Sequence, residues 1–228
     1  MHHTVTPDPS TATSGLVIRT PRRYDWRMWL HARGREGRFR DEEVRLARIG
    51  AGDRVLDVGC GTGSLAIAAA RVVGPSGRLA GVDPSPEMIE RASAKARRAG
   101  VSVGFVATAG EALPFPAGSF DVVTLSLVLH QLPVDALHAT MAGVRRVLAP
   151  GGRLLLVDLD LSNPTGNTVH SHAASHGGGG GQRFDLDRVG LLVEHLGLTI
   201  VERGPIAFRF RGLEPLRYLL AEAPPAAG

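Results

Sequence analysis

Three glycines, Gly59, Gly61 and Gly63, alternate with Cys60 and Thr62 between the apolar run Val55-Leu56-Asp57-Val58 and the Ala-rich stretch that starts at Ser64. Glycine at every second position lets a chain turn sharply at a strand end, and it brings backbone close to a ligand where a Cβ would collide. Two carboxylates accompany the turn. Asp57 ends the run before the glycines, and Asp83 ends the next apolar run, Arg78-Leu79-Ala80-Gly81-Val82-Asp83. A strand-end acid about 20 residues beyond a glycine loop is placed to accept both hydroxyls of a ribose. Asp57 beside the glycines suits a ligand bearing an ammonium group better than one presenting a pyrophosphate. A dinucleotide fingerprint built on Gly59 and Gly61 requires glycine at position 64, where Ser64 stands. The spacing therefore points to a nucleoside-bearing cofactor with a cationic part.

The following segments agree. Pro84-Ser85-Pro86-Glu87-Met88 opens a helix, with Ser85 as cap and Pro86 at the first helical position. Met88 suits either a purine face or the core. Further on come Glu111-Ala112-Leu113-Pro114-Phe115-Pro116, Gly118-Ser119-Phe120-Asp121-Val122-Val123, and a Leu148-Ala149-Pro150-Gly151-Gly152-Arg153-Leu154 turn in which proline and glycine stop a helix.

From Asp53 to Asp158 these segments resemble the class I S-adenosylmethionine (SAM)-dependent methyltransferases, in their menaquinone/ubiquinone-methylase-like branch. The resemblance implies SAM as cofactor and S-adenosylhomocysteine as product. It also implies cofactor contacts from Asp57, Gly59, Cys60, Gly61 and Gly63, from Asp83, Pro84 and Met88, and from Gly110, Glu111 and Ser126. Members of this branch hold the cofactor carboxylate with an N-terminal tyrosine and a basic residue before the glycine loop, positions matched here by Tyr24 and Arg38. Relatives carry an acid two residues before the glutamate of their third-strand motif to accept from the adenine amino group, and Ala109 stands there instead. Adenine would then rest on backbone at Gly110 and on apolar contacts.

The implied activity is transfer of the SAM methyl to a small acceptor by in-line displacement, which asks chiefly for alignment and exclusion of water. His130, in Leu125-Ser126-Leu127-Val128-Leu129-His130-Gln131-Leu132-Pro133, is the candidate to face the methyl as a base, with a structural helix-start role as the other reading. The acceptor is read as apolar or quinone-like, in keeping with few charges in the second half of the chain. A SAM-binding domain without catalysis, or one dependent on a partner, is the alternative that Ala109 supports. An NAD-dependent oxidoreductase is a third, against which Ser64 speaks.

The 228 residues carry 26 basic and 22 acidic side chains, a formal net charge of +4, and all the cations but Lys95 are arginine. That balance gives no strong field toward nucleic acid. The exception is the stretch where Arg19, Arg22, Arg23, Arg27, Arg33, Arg35, Arg38 and Arg40 outnumber Asp25 and Glu36. It reads as a solvated face, with an acidic substrate, a membrane surface or RNA as other readings. Trp26, Trp29 and Tyr24 read as packing the same segment onto the domain, or as an acceptor wall. No membrane span or signal peptide is expected, and a single cysteine, Cys60, suits a reducing compartment, so the expected location is cytoplasmic. A homodimer is left open.

The elements that must position these residues alternate strand and helix. Residues 1–20 read as a disordered tail, and 21–228 as one domain with a helical cover over 21–50 and a flexible loop over 162–183. Strands are expected at 54–58, 78–83, 103–107, 120–126 and 153–159, with helices at 64–73, 86–99 and 134–148, then a helix at 185–196 and strands at 198–202 and 216–221. The fold class is an α/β, Rossmann-like doubly wound sheet, and the resemblance sets its order as 3-2-1-4-5-7-6 with the last strand antiparallel. His170, His172 and His176, beside Asp158 and Asp160, have short spacing, but a glycine-rich tract makes a poor preformed site and no metal is expected. Phe208-Arg209-Phe210-Arg211 alternates ring and cation as a pocket lining or an edge strand would.

Overall fold

Short, largely apolar runs punctuated by glycine form a central sheet covered on both faces. The computed structural model describes residues 13–159, 185–208 and 216–226. Strands β1 (Arg54–Val58), β2 (Arg78–Asp83), β3 (Gly104–Ala107), β4 (Phe120–Ser126), β5 (Leu148–Leu159), β6 (Thr199–Pro205) and β7 (Leu216–Glu222) lie in the order β3-β2-β1-β4-β5-β7-β6. The first five pair in parallel, and β7 is antiparallel to both β5 and β6.

Among the described residues, six α-helices complete the layers: α1 (Pro21–His31), α2 (Glu36–Leu46), α3 (Ser64–Val73), α4 (Pro86–Ala99), α5 (Val134–Val147) and α6 (Leu186–His195). One core joins Met28 of α1, Phe39 of α2 and the alanine face of α3 to Val55, Val122 and Val157 of the sheet. The other joins Met141 and Val144 of α5 and Val189 of α6 to Leu56, Leu125 and Leu156 on the opposite face. Alternating residues of the same strands thus serve two cores, the burial pattern of a parallel sheet with helices on both sides.

The sheet order matches expectation, and β5 supplies one difference. It starts at Leu148, five residues early, because Leu148 pairs with Phe120 before a register shift carries the chain to the Arg153–Val122 pair. Gly151, at φ 69°, makes the turn inside that shift. The reversal of strand order falls at β1, which pairs with β2 on one side and β4 on the other. A crevice opens there beyond the carboxyl ends of the strands, the usual ligand position in such sheets. The expected loop over 162–183, including His170, His172 and His176, lies outside the described residues, as do Asp160 and the segment 209–215.

Candidate functional site

At the carboxyl end of β1 the chain passes through Gly59 at φ 71°, Gly61 at φ 52° and Gly63 at φ 77°, all in the left-handed region that glycine alone enters freely. The three glycines do different work. A Cβ on Gly59 would lie 2.6 Å from Val128 Cγ2, so this glycine admits the chain after β4. A Cβ on Gly63 would lie 2.9 Å from Ala92 Cβ and from Phe105 Cζ, which makes Gly63 the seat of α3 against α4 and β3. Gly61 turns toward the crevice, with Tyr24 the nearest side chain at 3.8 Å from its ideal Cβ.

The wall of the crevice includes Tyr24, Gly59, Gly61, Asp83, Pro84, Met88, Gly110, Glu111 and Ser126. Asp83 Oδ2 accepts the Gly61 N–H at 3.0 Å and Oδ1 accepts the Ser85 N–H at 2.9 Å, so the carboxylate fastens β2 to the glycine turn and to the start of α4. Burial pushes its pKa up to about 6, against the pull of those two N–H groups. Lone pairs remain on both oxygens for a further donor. Ser85 caps α4 as expected, accepting from Met88 N at 3.2 Å.

Five expected site residues stand elsewhere. Asp57 is buried behind the glycine turn, with Oδ1 accepting from Thr124 Oγ1 at 2.9 Å and Oδ2 without a hydrogen-bond partner, and burial pushes its pKa up to about 7. Cys60 points back toward β2, its Sγ 3.1 Å from the ideal Cβ of Gly81. Gly63 packs helices, as above. Arg38 is exposed on α2. The buried cation is Arg40, because two residues along a helix turn a side chain by about 200° to the opposite face. His130 is absent from the cavity wall, although its neighbours Leu129 and Gln131 bracket it between the core and that wall.

Arg40 anchors a buried polar group between α2 and β4. Its Nη1 donates to Glu43 Oε2 at 2.8 Å and to Ser126 Oγ at 3.1 Å, and Ser126 in turn donates to Glu43 Oε1. Its Nε has no hydrogen-bond partner. Burial works against the guanidinium charge, but Glu43, Tyr24 and Glu36 more than offset it and hold the pKa above the ordinary arginine value. Tyr24 is pushed up to about 12 by burial and stays a neutral donor.

Sequence reasoning also missed Thr140. This α5 residue is 1% exposed, lines the cavity beside Gly110, and its Oγ1 has no partner in the structure. The ideal Cβ of Gly110 lies 3.0 Å from that oxygen. A buried hydroxyl left unpaired calls for a ligand or a water. Its signal in the sequence is faint, since a threonine within an amphipathic helix looks ordinary. Ala109 is itself buried, so no acid faces the cavity at that point.

After β4, Leu127 takes φ 57°, a strained value for a branched side chain, and lines the cavity. Its N–H is held by Val157 O at 2.8 Å, and its carbonyl accepts from Gln131 Nε2 at 2.9 Å. Next to it, the fully buried Asp158 accepts from the N–H groups of Leu129 at 2.9 Å and His130 at 3.2 Å, and its Oδ1 lies 2.5 Å from His130 Nδ1. Burial lowers the His130 pKa, but the Asp158 charge and hydrogen bond outweigh this and raise it above the ordinary value.

A cover crosses the mouth. Residues 13–19, expected in a disordered tail, run along the cavity: Thr13 Oγ1 donates to Glu111 Oε1 at 2.6 Å and Leu16 N donates to Gln131 O at 3.2 Å. Farther on, Asp25 of α1 accepts from Thr62 Oγ1 at 2.6 Å, Arg91 Nε at 3.0 Å and Lys95 Nζ at 3.2 Å, which clasps the cover to the glycine turn. Trp26 and Trp29, expected to pack α1 onto the domain, are instead exposed, because Met28 and Ala32 take the inward face. Phe208 packs on Phe39, with ring centroids 5.4 Å apart.

Residues 55–152 match the family model of the methyltransferase domain. A demethylmenaquinone methyltransferase of Lactobacillus johnsonii is 34% identical over 159 residues, covering 69% of this chain and 64% of that protein. The chain spans less than two thirds of the length of that relative. Among solved structures, a SAM-dependent methyltransferase from Aquifex aeolicus superposes with a TM-score of 0.68 at 18% identity, over 89% of this chain and 97% of that one. The [4+2]-cyclase SpnF does so with a TM-score of 0.68 at 20% identity, over 83% and 81%. Residues 55–152 thus resemble a methyltransferase domain, and the sheet has the fold of these solved structures. SAM is the cofactor of the Aquifex aeolicus neighbour, and the Lactobacillus johnsonii relative is a demethylmenaquinone methyltransferase.

Proposed function

We propose that the protein transfers the methyl group of SAM to a small, apolar, ring-bearing acceptor of the quinone kind. The observation that carries this reading is the crevice at the strand reversal, where Gly61, Asp83 and the unpaired Thr140 hydroxyl surround one cavity within the matched methyltransferase segment. The residues fit the cofactor. Asp83 would accept the ribose hydroxyls, Met88 would lie against adenine, and Thr140 with the Gly110 backbone would meet the base edge left without an acid by Ala109. Tyr24 on the wall would meet the carboxylate, and Arg40, buried behind the wall against Ser126, would supply positive charge nearby in place of the expected Arg38.

When bound, the cofactor supplies a methyl on a cationic sulfur, a good leaving group. The chain's own residues then align and exclude water. The cover formed by residues 13–19 and α1 closes the mouth, and the strained Leu127 is fixed on the wall by Val157 and Gln131. Where the acceptor gives up a proton, His130 would receive it at Nε2 from an acceptor seated beyond the wall at Gln131, its Nδ1 being held by Asp158. The quinone assignment draws on the named activity of the Lactobacillus johnsonii relative.

Methyl transfer from labelled SAM to a demethylated quinol, compared with polar phenols and amines, tests the reading. Label in the quinol alone supports it. Label in the polar acceptors alone contradicts the acceptor class. A second reading, SAM binding without methyl transfer, is favoured by the buried Ala109, which leaves the adenine edge without its usual acid. Tight S-adenosylhomocysteine binding with no label in any acceptor would select it.

A further inference from the structure

Helix α1 has two unlike faces. Tyr24, Met28 and Ala32 turn inward, while Trp26 is 60%, Trp29 56% and Leu30 42% exposed. At 3.6 residues per turn these three share an arc of about 100°. Arg22 and Arg23, both exposed, stand at its start, and the exposed Arg33 stands just beyond its end. The acid within the helix, Asp25, is turned away and engaged by Thr62, Arg91 and Lys95. Trp29 is further set in place by its ring edge against Gly34, whose ideal Cβ lies 3.3 Å from Trp29 Nε1.

We propose that this face is a docking surface for an anionic lipid bilayer. Indoles bracketed by guanidinium groups on the outer stripe of a short helix match the chemistry of the membrane interface: rings enter the boundary of headgroup and acyl chain, and cations meet phosphate. The charge complementarity is specific to an anionic surface, since the outer stripe carries no carboxylate. RNA fits less well. A convex helix gives no groove to follow a phosphate backbone, and the exposed Leu30 beside the indoles suits acyl chain rather than a base. Docking would set the cavity mouth near the lipid, because Tyr24 on the inward side of the same helix lines that cavity. The placement suits an apolar acceptor, but the proposal does not rest on the methyl-transfer reading.

The sequence contains two tryptophans, both in this patch, so tryptophan emission excited at the red edge of absorption reports on this face alone. The full chain, without cofactor or acceptor, is titrated with vesicles of phosphatidylcholine and with vesicles containing phosphatidylglycerol. A blue shift of emission and co-sedimentation with the anionic vesicles alone are expected. Replacing Arg22, Arg23 and Arg33 by glutamine should weaken binding by roughly fivefold per residue. W26S/W29S, followed by sedimentation, should abolish binding, with an unchanged circular dichroism melt showing that the fold is kept. Equal binding to both vesicle types would overturn the proposal, as would no binding to either. So would a blue shift produced by single-stranded RNA or by raising protein concentration without lipid.

Discussion

Asp83 Oδ2 accepts the backbone N–H of Gly61 at 3.0 Å, joining the carboxyl end of β2 to the apex of the glycine turn. Two residues separated by 22 positions thus shape one wall of the cavity, and a substitution at either is felt by whatever binds there. Asp83→Ala is expected to weaken S-adenosylhomocysteine by about 1 to 3 kcal/mol. In the wild type, affinity should fall as pH is lowered through about 6, where the carboxylate becomes protonated. Calorimetric titration across pH 5 to 8 checks both expectations. A pH-independent affinity would remove the carboxylate from the contact.

Thr140→Val exchanges an unpaired buried hydroxyl for a methyl of similar size. Relieving the orphan should leave thermal stability unchanged or slightly raised, while S-adenosylhomocysteine binding weakens by about fivefold. Unchanged binding would return Thr140 to a packing role.

Arg40 and Glu43 test the carboxylate contact against mere architecture. Arg40→Met leaves Glu43 buried without its cation and should cost about 3 to 5 kcal/mol of stability. The double variant R40M/E43L should recover most of it, since an apolar pair of similar volume often replaces a buried ion pair without loss. Cofactor binding should stay impaired in the double variant. If it binds as the wild type does, Arg40 is architectural.

The His130–Asp158 pair makes a prediction in pH. With the His130 pKa raised, the pair's contribution to stability is full below about 6.5, the unfolded value, and is lost as pH rises through the folded value. If His130 is the base, kcat should rise over the same range. Asp158→Asn should move the inflection of the rate profile toward lower pH, a shift that a purely structural loss would not produce. A flat profile in the wild type would exclude the base role.

Much of this architecture is legible in the residues. The strands β1, β2 and β4 are apolar runs bounded by glycine, proline or an acid, and the Ser85–Pro86 start of α4 follows from capping chemistry alone. What escapes the sequence is phase and neighbourhood. Arg38 and Arg40 look alike in a basic stretch, and only the docking of Phe39 and Val44 onto α3 decides which one is buried. Asp158 meets His130 because β5 lies beside β4, a pairing between residues 28 apart in the chain. Trp26 and Trp29 look like packing residues until Met28 takes the inward face of α1. Asp57 belongs to the glycine motif in sequence, yet the strand pleat turns it toward Thr124, behind the cavity.

The measurement that bears most directly on the account is calorimetric titration of the folded protein with SAM, S-adenosylhomocysteine and NADH in parallel. Saturable binding of the first two at one site, with none of NADH, is the predicted result. Binding of NADH alone, or silence toward SAM and S-adenosylhomocysteine in a folded sample, would contradict it.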